Sequence, residues 1–340
     1  MNIQKSALFA IVFAPMVVAN ADAAPSVYQN NVGAINLNML TERFMAFTHM
    51  DENISDFVIN TDIYGTMTRL DEYGDDGTIV NKPKDEEDEE EFEPSLSRLV
   101  WADVQYLNTR AEYNDNVSER NRIRMETIGF NTKEFDLVYG SISFGAFLGN
   151  IAEDIFSFTG NGFTFGVFSH YKMHDFDVTV LANNGSINNN SGNNMFNNSW
   201  YNVAADTSMN ISLTDSVSFR PKVYVGYTSI TADDFKINGD VVPSKYFRFW
   251  NVVPSAEISA KLARNFYGSL FGKYVWVNGD TEKNVYLNGA AIDKTEAKDY
   301  AEFGLDLEYD YKKFVFTGYV HKQIEGFDGW IGKLGLKYVF

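Results

Sequence analysis

The sequence predicts an all-β protein: a closed antiparallel transmembrane β-barrel of about twelve strands behind a short N-terminal helix and linker. Three observations predict it. Apolar and polar residues alternate with period two through most of the chain from residue 96 onward. Aromatic residues are abundant, with 28 Phe, 19 Tyr and 5 Trp in 340 residues, and they gather at strand ends, where a lipid-facing belt would place them. The links between alternating segments are long and short in turn, as in barrels with external loops on one side of a membrane and tight turns on the other.

At the N-terminus, Lys5 precedes an apolar stretch over residues 7–19, and Ala21-Asp22-Ala23 supplies an A-x-A cleavage site. This is the pattern of a Sec signal peptide over residues 1–23, cut after Ala23 or, alternatively, Ala21. The stretch is too short to span about 30 Å of hydrocarbon, and no later window offers about 18 uncharged apolar residues, so any later contact with a bilayer is made by strands. Residues 24–95 form an N-terminal extension. Within it, residues 31–47 read as an amphipathic helix, with Val32, Ile35, Met39, Leu40, Arg43, Phe44 and Phe47 on one side. Residues 56–70 offer an extra strand as an alternative. The linker 71–94 follows. Its residues 71–93 hold twelve acids against two lysines, a net of −10 within a chain total of −18. A segment of this composition repels itself and has no apolar surface to bury, so it reads as solvated, and it lacks the ligand spacing of a Ca²⁺ loop.

The barrel domain is expected over residues 96–340. Twelve strands are predicted at about 96–107, 122–130, 135–148, 162–171, 175–183, 200–213, 217–228, 246–262, 266–277, 299–310, 314–322 and 330–340. The last is the clearest. Trp330, Gly332, Leu334, Leu336, Tyr338 and Phe340 alternate with a second set containing Lys333 and Lys337. Phe303, Leu305, Leu307 and Tyr309 alternate likewise with Glu302, Asp306 and Glu308, and Ala256, Ile258, Ala260 and Leu262 with Glu257 and Lys261. In segment 135–148 the apolar parity shifts around Gly140, the mark of a bulge or of a misplaced boundary. Links 108–121, 149–161, 184–199, 229–245 and 278–298 are long and polar, and 184–198 reads as an irregular Asn-rich loop. Links 131–134, 172–174, 214–216, 263–265 and 311–313 are tight. An even strand count puts both barrel ends on the tight-turn side, in the periplasm. Closure is required because an open edge would leave unpaired N–H and C=O groups in hydrocarbon. Twelve strands about 4.8 Å apart and tilted by about 40° give a diameter of roughly 24 Å. The lumen is then about 12–14 Å wide, nearly filled by one helix.

Several of these segments resemble a known family. GFTFGVFSHYKMHDFDVTVLAN (162–183), SVSFRPKVYVGY (216–227) and the closing runs AEFGLDLEYDY, FVFTGYVHKQ and GKLGLKYVF are similar to strands of bacterial autotransporter β-barrel (translocator) domains. Trp101 near the first strand fits as well, and the resemblance covers residues 96–340. It implies a C-terminal assembly signal at Leu336, Tyr338 and Phe340, and a helix threading the pore, for which 31–47 is the candidate. About 70 residues separate signal cleavage from the barrel, with no visible repeat, whereas the family's passengers are large repetitive β-helices. The resemblance therefore implies a solitary barrel that keeps the family fold rather than a dedicated secretion device. A small diffusion porin is the alternative, and an outer-membrane hydrolase a more remote one.

Composition narrows the chemistry. No Cys is present, which excludes thiolate metal sites, disulfides and Cys nucleophiles. The net charge of −18 argues against nucleic acid and against anionic membrane surfaces as electrostatic partners. No nucleotide or metalloprotease motif occurs, and no cofactor or metal is implied. Of the four histidines, His49, His170, His174 and His321, none has Ser at +2. His170 and His321 fall near expected strand ends and His174 in a tight turn, so each reads as solvated. Glu257, Lys261, Glu302, Asp306, Glu308, Lys333 and Lys337 are the candidate lumenal charges, with the acidic stripe facing the lysines across the barrel. The expected partners are outer-membrane lipid and the barrel-assembly machinery, and the expected state is a monomer.

Overall fold

The computed structural model describes Met50, Glu52 and Ile54 and, with short interruptions, residues 99–339. The signal segment, the expected helix 31–47, the alternative strand 56–70, the acidic linker 71–94, His49 and Phe340 lie outside the described residues.

Twelve strands form the wall: β1 (Leu99–Asn114), β2 (Val117–Asn131), β3 (Gly140–Ile155), β4 (Phe158–Met173), β5 (Phe176–Ser191), β6 (Asn194–Met209), β7 (Val217–Ala232), β8 (Lys245–Ala263), β9 (Phe266–Gly279), β10 (Tyr300–Tyr311), β11 (Phe314–Ile324) and β12 (Asp328–Val339). Each pairs antiparallel with its neighbours in sequence, and β12 pairs with β1 from Leu99↔Val339 to Arg110↔Asp328, which closes the barrel. Closure leaves no strand edge along the apolar belt, as a hydrocarbon environment demands.

The register fixes the shape. Paired residues lead from Leu99 through Asn131, Gly145, Phe168, Leu181, Ala204, Gly226 and Asn251 to Val277. From Lys273, four residues back along β9, they continue through Glu302, Gln323 and Gly329 to Thr109, ten residues beyond the start. The shear is therefore about 14, and twelve strands with that shear tilt by about 39° around a diameter of about 24 Å.

One end of the barrel carries tight connections: turns at His174–Asp175, Arg264–Asn265 and Lys312–Lys313, and two short added strands, Phe135–Leu137 and Ile211–Thr214. His174, Asn265 and Lys312 take positive φ there. The parity break expected near Gly140 is a hairpin: Phe135–Leu137 folds back on Gly140–Ile142, and Gly140 has φ +155 with Lys172 O where a Cβ would sit. A single strand over 135–148 is thus corrected to a short strand, a turn and the start of β3.

The other end corrects a second expectation. Links 108–121, 149–161 and 184–199 are mostly not loops, because the strand pairs run on through them. Asn188 pairs with Asn197, whose amide donates to the Asn188 side chain at 2.9 Å, and Asn183 pairs with Asn202. Asn satisfies its backbone in the ladder and its side chain across it, so a composition that favours loops is accommodated in strands. The links before β8 and β10 each contain a small hairpin, Phe235–Ile237 with Asp240–Val242 and Glu282–Leu287 with Ala290–Glu296.

Outward residues near the turn end form an apolar belt that includes Val104, Leu148, Val180, Val203, Ile258, Leu305 and Leu334. On its loop side stand Tyr201, Tyr227 and Trp250, in mutual contact with ring centroids 6.1 and 4.7 Å apart, and then Trp276. Among the described residues no helix is long and apolar enough to cross a membrane; the strands do so.

Candidate functional site

Every second residue of each strand points into the barrel, and on β7–β12 many of these are charged. Arg220 pairs with Glu257 across β7 and β8, and Ser259 donates to Glu257 at 2.9 Å and accepts from Ser269 at 3.0 Å. Lys222 pairs with Asp206 at 2.8 Å, and Lys337 with Glu308 at 3.5 Å. Burial of a charge is costly unless a partner stands beside it, and the barrel supplies these partners from the adjacent strand or, for Lys337 and Glu308, from the next strand but one.

His321 on β11 is the centre of the densest group. Its Nδ1 lies 2.8 Å from Glu302 Oε1 and its Nε2 2.5 Å from Asp306 Oδ1, both on β10. Each ring nitrogen thus faces a carboxyl oxygen, and the three groups form one hydrogen-bonded unit. Phe271 and Tyr319 lie nearly parallel to the ring, at centroid distances of 4.9 and 4.2 Å. Gly304, the register partner of His321, makes room: a Cβ there would stand 2.0 Å from His321 Cδ2. Lys333 lies 4.9 Å from the Tyr319 ring.

Lys273 on β9 extends the group inward. Its ammonium pairs with Glu52 and lies 3.7 Å from Glu302 Oε2. Glu52 belongs to the helical residues Met50, Glu52 and Ile54, and Met50 and Ile54 are fully buried in one apolar cluster with inward-facing Trp101, Tyr224 and Phe249.

The expected lumenal residues are therefore placed as follows. Glu257, Glu302, Glu308, Lys333 and Lys337 are buried inside, and Asp306 is partly exposed to the lumen. Lys261 is exposed at the turn-end mouth, over the Tyr267 ring at 5.9 Å. The acidic stripe does not face the lysines across the barrel: β10 and β12 are separated only by β11, and the charges share one stretch of wall. Leu336 and Tyr338 face outward, Tyr338 against Phe314 at 5.0 Å. Two histidines are corrected. His321 and His170 are buried, not solvated, and His170 lies 3.1 Å from Thr179 and 3.3 Å from Asp177. His174 is exposed in its turn. Sequence reasoning passed over Lys273 and Arg220; alternation alone puts both on the inward face, and that signal was available.

Together the closed wall, the apolar belt and the charged interior define a transmembrane β-barrel. No family model and no curated protein matches the chain. Solved structures do. The barrel is similar to the translocator domain of autotransporter NalP from Neisseria meningitidis, at 12% identity over 73% of this chain and 90% of that one, with a TM-score of 0.55. It is also similar to the transport unit of the autotransporter AIDA-I from Escherichia coli (14% identity, 73% and 92% covered, TM-score 0.56) and to the β domain of the Bordetella autotransporter BrkA (11% identity, 71% and 99% covered, TM-score 0.55). At these identities the likeness is one of fold, and the fold is that of the autotransporter translocator barrel.

Proposed function

We propose that this chain is a bacterial outer-membrane barrel of the autotransporter type, exported by its N-terminal Sec signal, whose pore is occupied and closed by its own N-terminal segment. The observation that carries the reading is Glu52 paired with Lys273 deep in the lumen, with Met50 and Ile54 buried beside it. A lumen about 12–14 Å wide is nearly filled by one helix. The barrel acts without chemical catalysis. Support for this comes from His321, which is engaged by carboxylates at both nitrogens and so offers no free nitrogen to a nucleophile. Surrounding lipid, the assembly machinery that reads Leu336, Tyr338 and Phe340, and a monomeric state complete the proposal.

Single-channel conductance of the refolded mature protein, beside a form lacking residues 24–94, tests it. A closed intact protein and a conducting truncation are expected. Equal, steady conductance in both would overturn the plug and favour a diffusion porin, the second reading that the charged wall supports.

A further inference from the structure

The chain-wide charge of −18 conceals a local patch of opposite sign on the outside of the barrel. Of the ten arginines in the sequence, four are Arg110, Arg120, Arg122 and Arg124. Arg110, Arg122 and Arg124 share the parity of outward-facing Tyr106 and Phe130 on β1 and β2. The register ties them to the membrane boundary. Arg124 pairs with Tyr106 and Arg122 with Asn108, and across the barrel closure Asn108 pairs with Trp330. Tyr106 and Trp330 are 43% and 54% exposed and stand on the loop side of the apolar belt, where aromatic side chains meet lipid headgroups. Arg124 is thus level with the aromatic row. Arg122 and Arg110 stand two and four residues further toward the loop end, a rise of about 7 Å of strand per step.

Acids are present in the patch, and they do not balance it. Glu126 pairs with Arg124, Asp154 is the register partner of Arg122, and Asp328 pairs with Lys322 and stands opposite Arg110. Lys322 lies 5.2 Å from the Trp330 ring. Among the described side chains, four cations (Arg110, Arg122, Arg124 and Lys322) against these three carboxylates leave a net positive surface within a strip five strands wide. Arg110 and Arg122 are exposed. Guanidinium groups bind phosphate bidentately, and cations just outside a hydrocarbon boundary are drawn to anionic headgroups.

The geometry points to a binding site for phosphorylated lipid headgroups of the loop-side leaflet on the outer face of β11, β12, β1 and β2, formed by Arg110, Arg122, Arg124 and Lys322 around Tyr106 and Trp330. The inference rests on the outer-membrane reading above, which places phosphate-bearing lipid on that side.

Detergent-refolded protein is titrated with bisphosphorylated lipid A and with the same lipid after dephosphorylation, and retained lipid is counted by native mass spectrometry. Folding of every variant is checked by heat-modifiable mobility, so a failure to form a barrel is told apart from a failure of the patch. Wild type is expected to retain the phosphorylated lipid, with retention falling as salt rises. The R110Q/R122Q variant, whose altered side chains are exposed, is expected to bind about tenfold more weakly or worse. An R248Q variant, changed on the distant outer face of β8, is expected to bind as wild type. Equal retention of both lipids, or equal binding by wild type and R110Q/R122Q, would overturn the site.

Discussion

The two halves of the barrel wall solve the same problem differently. On β4–β6 the lumenal face is built mainly from Thr164, Thr179, Asn183, Asn189, Asn198 and Asn202 among Phe168, Leu181 and Trp200. Its hydrogen bonds are mostly neutral, such as Trp200 Nε1 to Asn183 at 3.3 Å. On β7–β12 the lumenal face is charged, and it is this half that holds Glu52 through Lys273. The difference teaches where specificity is stored. Neutral amides satisfy a wall locally, whereas a charge left without its counter-charge is costly in the interior. A segment that brings Glu52 to Lys273 therefore has one favoured seat.

The contrast can be broken most severely at His321. His321→Leu leaves Glu302 with Lys273 as its cation and Asp306 without its His321 partner, and is expected to cost about 3–5 kcal/mol in urea unfolding of the detergent-refolded barrel. Arg220→Met strands Glu257 and is expected to cost about 3 kcal/mol, while adding Glu257→Gln should restore most of it. A double variant as damaged as the single one would show that the pair's charges are not what matters there. On the neutral half, Asn202→Ala removes the acceptor of the 2.8 Å bond from Thr228 and is expected to cost about 1 kcal/mol. A loss as large as that of His321→Leu would erase the distinction between the halves. Lys261→Ala, at the exposed mouth, is expected to leave the unfolding midpoint where it is, and a clear shift would mean that Lys261 belongs to the lumenal network after all.

Much of this arrangement was legible in the sequence. Period-two alternation marks most of the strands, the exception being 135–148 with its parity break, and the parity of Glu302, Asp306 and Glu308 against Phe303, Leu305 and Leu307 gives the inward face. Register was not legible, because alternation fixes which face a residue takes but not its level on the neighbouring strand. That is why the partnership of His321 with Glu302 and Asp306 had to come from the structure, and why the acids seemed to oppose the lysines across the lumen. Strand ends on the loop side were illegible for a different reason. Asn-rich composition signals a turn in isolation, and only the pairing of β5 with β6 shows it as a ladder. The chain-wide charge misled in the same way, since 71–93 contributes −10 of −18 and hides the arginines of β1 and β2.

The seating of Glu52 against Lys273 is the central claim, and the absence of native Cys makes it directly measurable. Glu52→Cys is combined with Lys273→Cys, and in a second protein with Leu270→Cys on the lipid-facing side of the same strand. Both are treated with a short bifunctional maleimide and read by mass spectrometry. The account predicts an efficient intramolecular cross-link from residue 52 to residue 273 and none to residue 270. No cross-link to residue 273, or equal yields at the two positions, would contradict it.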